Sequence, residues 1–454
     1  MTALLSDQTS ATTASFADAR HEQRARVASA ALGLTAAGVA AGAAAVVAPQ
    51  AVLASLLALG VVAAAVARVE WAAVAYVALE PWGNLLRELH PAAIKVAGGL
   101  LFVSWLVRLT RDPRPAGLRH PAVISVAALV TVVLASFAVH GADLATGLDH
   151  ATTYASYALV VVVLVDTART GRPGGGAVAR HLVLAFALSC AAAGLVALVG
   201  FLVDGGRAAG PLEDPNDLAF FLVAALPLLL VGSRRTGALR ATCAVVLVVA
   251  LLATFSRGAL VGLAAALLVA VVLGAVRLST AAAVAAAAAV VVGALWAANA
   301  AVVDRSLEEK SNIAADNVSS RATTATMAAR MTAASPLLGQ GPGGFAEARD
   351  RFVPADLADV DESVAHQMYL DVSAELGLLG LAAFLAAIGY AVRGALRARR
   401  SPDHRPLAQA VLIAFAATLV AACFLSEQFY LPVWLLVALG AAVDPEPSTP
   451  TRRW

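Results

Sequence analysis

The chain has 454 residues, 60% of them hydrophobic and only 14% charged, with a mean hydropathy of +0.80. This excludes an ordinary soluble domain, which is nearer half apolar and about a quarter charged. No water-facing fold hides so much apolar surface, so membrane lipids must cover much of it.

The net charge of +2 argues against a nucleic-acid partner. Three scattered cysteines, Cys190, Cys243 and Cys423, give neither a disulfide framework nor a metal-ligand spacing, and read as small hydrophobes within spans.

Residues 1–26 are polar and end in Arg20, Arg24 and Arg26, as expected of a cytoplasmic tail. The apolar run 27–47 is longer than a signal-peptide core and is followed by no clear cleavage site, so it reads as a retained first span. Further runs, broken by Pro, Gly and charge, lie at 51–67, 69–80, 92–109, 121–139, 151–167, 181–203, 216–232, 239–254, 258–276 and 280–300. The run 69–80 is short enough for a half-span. Segment 301–365 interrupts the series with about ten acidic and about six basic residues, so it is a polar loop and not a missed span. Spans 367–392, 406–424 and 428–443 complete the series, ahead of a second tail at 444–454.

The expected fold is an all-α polytopic membrane protein with about 12–14 transmembrane helices. Its expected divisions are 1–26, 27–300, 301–365, 366–443 and 444–454. With the N-terminus inside, about 22 of the basic residues fall on inner connections. The inner connections include 108–120, 168–180, 232–240 and 393–405. The short outer ones carry only Arg87, Lys95, Arg207 and Arg257. Segment 301–365 therefore falls outside.

The residues that can carry chemistry gather on this outer side. Asn216 follows Asp214-Pro215 at the start of a span, where Asp214 or Asn216 can cap a helix. Arg257 in Thr254-Phe255-Ser256-Arg257-Gly258 interrupts two apolar runs at the membrane boundary. A guanidinium there can clamp a phosphate bidentately or simply snorkel to water. Arg321 and Arg330 precede Pro336-Leu337-Leu338-Gly339-Gln340-Gly341-Pro342-Gly343-Gly344, whose glycines allow close backbone approach and anion-binding N–H groups. No Lys-Ser/Thr follows, so this is not a nucleotide P-loop. His366 is the last polar residue before a long span that opens Gln367-Met368-Tyr369-Leu370 and continues through Glu375-Leu376-Gly377-Leu378-Leu379-Gly380. A histidine there can take a proton from a hydroxyl. The carboxylates Asp359, Asp361 and Glu362 admit a divalent cation, but read better as an acidic solvated loop, and no metal site is assigned.

In order and spacing these elements resemble the O-antigen ligase and O-antigen polymerase superfamily. The elements carrying the resemblance are Asn216-Asp217-Leu218-Ala219, Ser256-Arg257-Gly258, Arg321, Pro336 to Gly341, and His366 to Gly380, with Gln367 where that family usually has Asn. The resemblance covers about residues 210–395. It implies a glycosyltransferase in the cytoplasmic (inner) membrane, working on its extracytoplasmic side without nucleotide sugar, cofactor or metal, and with inversion. The implied partners are an undecaprenyl-diphosphate-linked saccharide donor and a glycan or lipid acceptor. Arg257 and Arg321 would stabilise the leaving diphosphate and His366 would act as general base. Asn216, Arg330, Gly339, Gly341 and Tyr369 would position substrate. The rival expectation is a lipid-saccharide flippase or polysaccharide transporter. Such proteins usually bury ionisable groups near the bilayer midplane, whereas these spans are almost free of charge at their centres.

Overall fold

The computed structural model describes residues 68–140, 143–170, 176–212, 214–232, 236–280, scattered positions from 282 to 293, 321–353 and 364–445. The expected spans 27–47 and 51–67, most of 280–300, the tail 1–26, loop residues 301–320 and the acidic cluster 359–362 lie outside the described residues.

Among the described residues the chain is helical, with no strand. In order the helices are α1 (Val69–Leu79), α2 (Gly83–Leu89), α3 (Ala93–Arg111), α4 (Pro121–His140), α5 (Leu144–Thr170), α6 (Gly176–Asp204), α7 (Pro215–Ala225), α8 (Gly237–Ala253) and α9 (Arg257–Val272). After them come α10 (321–334), α11 (Gly344–Phe352), α12 (Met368–Ala398), α13 (Arg405–Ala421) and α14 (Leu431–Val443). Five of these, α3, α4, α5, α6 and α12, are long and apolar enough to cross a membrane; α7 with its 3-10 extension, α8, α9, α13 and α14 are apolar but shorter.

Local chemistry accounts for several boundaries. Asp214 caps α7 by accepting from the Asn216 N–H at 2.6 Å, with Pro215 in the first turn. The α-helix then gives way at Leu226 to a 3-10 segment, Leu226–Leu230, because Pro227 has no N–H to donate back up the helix. The expected half-span is an 11-residue helix, α1, that turns through Glu80–Trp82 into α2. Cys423 is exposed at the end of α13 and not inside a span, whereas Cys190 and Cys243 are buried.

Two short helices form the centre. From Leu218 to Ala225 every residue of α7 is buried, and so is every residue of α14 except Ala442. A helix that is apolar all round belongs inside a bundle, not on its surface. Around them α12 packs against α4 and α14, α14 against α5, and α9 against α13. Small residues bring axes close. A Cβ on Gly262 would sit 2.5 Å from the Ala417 carbonyl oxygen, and one on Gly440 would sit 2.6 Å from that of Ala391.

The bundle's two ends differ. One holds Arg108, Arg111, Arg169, Arg240, Arg397 and Arg405 near helix termini. There the buried Asp166 accepts from Arg108 Nη1 at 2.5 Å, Trp105 Nε1 at 2.7 Å and the Ala116 N–H at 2.6 Å. Asp444 meets Arg397 at 2.9 Å and His120 at 3.1 Å. Burial lowers the His120 pKa from 6.5, against the opposing pull of Asp444. The other end carries every motif singled out above.

Helix α14 has 13 residues, about 20 Å at 1.5 Å per residue, against a hydrocarbon thickness of about 30 Å. The loop 422–430 joins α13 to this short helix, with Glu427 and Gln428 buried.

Candidate functional site

The turn between α8 and α9 is fixed from within. Thr254 Oγ1 donates to the Leu251 carbonyl at 2.7 Å and accepts from the Ser256 N–H at 3.2 Å. Phe255 is held at φ +52°, which a non-glycine residue seldom adopts. The result places Arg257 at the first position of α9, exposed, with Ser256 buried behind it. Gly258 is where α9 meets loop 422–430: a Cβ there would lie 2.7 Å from Phe424 Cβ.

Asn216 joins the same turn through Arg207. Arg207 donates from Nε to the Thr254 carbonyl at 2.9 Å and from Nη2 to Asn216 Oδ1 at 3.1 Å. The neighbouring Ala208 N–H bonds to the Ala253 carbonyl at 3.0 Å. Arg207 thus clamps the start of α7 to the turn carrying Arg257. Its sequence signal, one of few basic residues on that side, was visible, but not its bonds.

The glycine-rich segment is built into the bundle. Helix α12 breaks at Gly377, with φ +66° and ψ −171°. Residues 336–341 lie along the break: Gln340 N–H bonds to the Ala374 carbonyl at 2.8 Å, Gly341 N–H to Glu375 at 3.0 Å, and Leu378 N–H to Pro336 at 2.7 Å. A Cβ on Gly339 would overlap the Glu375 backbone, and one on Gly377 would overlap the Leu337 carbonyl. The two glycine motifs are therefore halves of one backbone joint. The Glu375 carboxyl accepts from the N–H groups of Gly343 and Phe345, so the donors of this turn are taken up by the protein's own side chain. Gly341, at φ +101°, rests against the His140 carbonyl.

Helix α10 lies over this joint with a small apolar core of Met327, Ala328, Met331, Phe345, Ala348, Ala365 and Ala374. Thr324 Oγ1 donates both to the Arg321 carbonyl and to the Ala365 carbonyl, each at 3.2 Å. That contact sets Arg321 within a turn of His366. Arg330 is exposed and its Nη1 reaches the Phe352 carbonyl at 3.3 Å, tying α10 to α11.

His366 is the second non-glycine residue at positive φ, at +53°. The chain on either side is pinned. Ala365 N–H bonds to Asp371 Oδ1 at 2.8 Å, and Met368 N–H to the Ala422 and Leu425 carbonyls at 3.1 and 2.8 Å. Gln367 caps α12, its side chain accepting from the Leu370 N–H at 2.8 Å, so a longer amide does capping work suited to the family's usual Asn. Tyr369 extends its hydroxyl to the Leu419 carbonyl at 2.7 Å and so links α12 to α13.

The loop 422–430 connects these pieces, and the sequence reading passed over it. Ser426 donates to Asp371 Oδ2. Glu427 donates a carboxyl hydrogen bond to Asp217, which also accepts from the Tyr430 hydroxyl. Burial, then the adjacent Asp217 carboxylate, raise the Glu427 pKa well above the carboxylate range, and burial likewise raises that of Tyr430. Phe429 meets Tyr154 and His150 edge-on, each with ring centres 5.0 Å apart. The one available signal was Ser426-Glu427-Gln428 standing between two apolar runs.

The structure thus draws Arg257, Asn216, Arg321 and His366 to one end of the bundle around loop 422–430. It gives Gly339, Gly341, Arg330 and Tyr369 contacts within the fold. Backbone strain at Phe255 and His366, flanking two of these groups, is the kind that collects at functional sites. Among the described residues no cluster of His, Cys, Asp or Glu has the grouping of a metal site.

Comparison with known proteins fits this arrangement. The O-Antigen ligase family profile matches residues 242–385, from α8 to the middle of α12. No curated protein matches the chain. The matched segment holds Arg257, Arg321, the glycine joint and His366. The match supports membership of the O-antigen ligase superfamily and, in general, its ligase or polymerase type of function, and the long apolar helices support a membrane protein.

Proposed function

We propose that the chain transfers a saccharide from an undecaprenyl-diphosphate donor to an acceptor hydroxyl on a glycan or lipid. The observation that carries this reading is the convergence of Arg257, Arg321 and His366, from three separate segments, on one end of the bundle.

The acceptor oxygen attacks the anomeric carbon of the donor sugar. The new C–O bond forms as the old bond to the diphosphate oxygen breaks, and that bond's electron pair leaves with the diphosphate. Arg257 and Arg321 supply fixed positive charge where negative charge develops. His366 takes the hydroxyl proton. Asp371 accepts from the Ala365 N–H, next to His366, and from Ser426 of loop 422–430, and so fixes the backbone that carries the imidazole. One displacement inverts the sugar, and the guanidinium groups provide the charge that a metal would otherwise bring.

The cluster of arginines at the opposite end supports a cytoplasmic-membrane orientation with the site on the extracytoplasmic face.

The test uses purified protein in lipid nanodiscs with a lipid-diphosphate oligosaccharide. His366→Ala should lose turnover by about a hundredfold or more while still binding donor. Arg257→Lys should recover little, because ammonium lacks the bidentate fork. Near-normal turnover of His366→Ala would overturn the base assignment. Movement of labelled saccharide across vesicles with its linkage unchanged would point to transport instead.

A further inference from the structure

The half of the chain before the family match holds a groove of its own, between α3 and α5, with a volume of about 600 Å³. The two helices run the same way along it. Lys95 meets Asp149 at 3.4 Å near one end, and Arg108 meets Asp166 at 2.5 Å near the other. The Arg108 end is the arginine-rich end of the bundle, so Lys95 marks the end that carries the proposed site. There the groove is lined by Arg87, Lys95, Thr152 and Thr153. Further along the same helices it turns apolar, with Leu101 and Phe102 on one side and Leu159, Val160 and Val163 on the other. The change takes about 10 to 16 Å along the helices, at 1.5 Å per residue. Polar at the membrane face and apolar below, the groove has the profile of a single lipid leaflet. Lys95, Gly99, Thr152 and Ser156 are exposed, so it opens at the protein surface.

The charges at the polar end cancel but stand apart. Arg87 is exposed. Its Nε donates to the Gly83 carbonyl at 3.3 Å and its Nη2 to Asn84, which fixes the guanidinium and leaves further N–H donors. Lys95 carries Asp149 beside it. Glu80 is in the groove floor at 6% exposure. Tyr157 donates to Glu80 Oε2 at 3.4 Å, while Oε1 is buried with no protein partner. Arg87 lies close enough to Glu80 for their charges to interact, so a single head group can span both.

Two cations and two acids leave no net charge. A purely anionic head would face Glu80 and Asp149 without enough countercharge, and a lipid diphosphate would fare worse. An uncharged head would leave both Arg87 and Glu80 unanswered. A head with both a phosphate and a primary ammonium answers each, whereas a quaternary ammonium has no N–H to give Glu80. We propose that the α3–α5 groove is a site for a membrane phospholipid with a primary-ammonium head, of the phosphatidylethanolamine kind. The phosphate sits on Arg87 and Lys95, the ammonium on Glu80, and one acyl chain runs along Leu101, Phe102 and Val163. The groove ends against Phe429 and Tyr430, so this lipid braces loop 422–430. The proposal goes beyond the transfer reading and does not depend on it.

The probe is phosphatidylethanolamine with a diazirine in one acyl chain, in phosphatidylcholine nanodiscs holding the full-length protein. Label should concentrate on peptides from 93–111 and 144–170. Unlabelled phosphatidylethanolamine should suppress it about tenfold more effectively than phosphatidylglycerol. Glu80→Gln should bring the two competitors level, and Arg87→Gln should cut labelling by about tenfold. Outside its own stretch of helix, no protein atom lies within 4 Å of a Cβ built on Gly99, so Gly99→Leu should fill the groove and cut labelling by about tenfold. Ser156→Phe fills it from the other wall and carries the same test if Gly99→Leu lowers the Tm. Label spread evenly over lipid-facing helices, equal competition by phosphatidylglycerol, a preference that survives Glu80→Gln, or indifference to the filling variants would overturn the proposal. So would displacement by free O-phosphoethanolamine, which would make this a site for a soluble head, or by undecaprenyl diphosphate, which would give the groove to the donor. Labelling is read without turnover, so this result stands apart from the His366 test.

Discussion

Replacing Gly377 by Ala tests whether the glycine joint holds the site. At φ +66° and ψ −171° the backbone is in a region open essentially to glycine alone, so a side chain costs about 1–3 kcal/mol in strain. The added Cβ also overlaps the Leu337 carbonyl and pushes segment 336–341 away. Four backbone bonds join that segment to α12, at 2.8, 3.0, 2.7 and 3.4 Å. Losing two of them adds about 1–3 kcal/mol, at about 0.5–1.5 kcal/mol each. The expected loss is about 2–6 kcal/mol, or a fall of roughly 4–12 °C in apparent Tm at about 2 °C per kcal/mol. Gly389→Ala, in the same helix, is the control. It has ordinary helical φ and nothing within 4 Å of its Cβ, so it should gain up to about 1 kcal/mol. The assay is thermal unfolding in detergent, with limited proteolysis at 336–344. The reasoning is refuted if Gly377→Ala melts with or above the unchanged protein, or if both variants shift the same way.

Arg207→Ala should lower transfer by about tenfold, because it removes two hydrogen bonds of about 1 kcal/mol each that clamp Asn216 to the Arg257 turn; steady-state rates check this, and an unchanged rate would remove Arg207 from the site. His120 gives a pH dependence. Its folded pKa lies below its ordinary 6.5, so the folded state resists protonation. The stability it contributes is full above about pH 6.5 and is lost as pH falls through the folded value. Between about pH 7 and about pH 5 apparent Tm should fall more steeply for the unchanged protein than for His120→Asn, which keeps an acceptor for the Ala122 N–H; parallel curves would refute it.

The sequence made the helices legible wherever apolar runs met arginine or proline. The ends of α3 and α4 fall within two residues of the expected limits, whereas α5 starts seven residues earlier and α12 ends six residues later than expected. The core gave less warning. Nothing local distinguishes α14, buried on all sides, from a lipid-facing helix of like composition, since apolar residues serve either environment. At the site, single residues were legible and pairings were not. Gly339 read as part of a glycine-rich turn and Gly377 as part of a span, yet they matter as the two sides of one contact made across sequence. Glu427 went unnoticed because its partner, Asp217, lies far earlier in the chain. Asp371 looked like one more helical acid until its bonds placed it behind His366.

The shortness of α14 has a consequence for reaction fidelity. Water is also a hydroxyl nucleophile, and a lipid-diphosphate sugar is open to hydrolysis as well as transfer. Loop 422–430, with Glu427 and Gln428 at 3% and 2% exposure, would narrow the path by which bulk water reaches a carbon reacting at the proposed site. The acceptor can then win by placement instead of concentration. On this view the missing turns of α14 are a guard against wasting donor, and lengthening that helix toward the surface would raise hydrolysis relative to transfer.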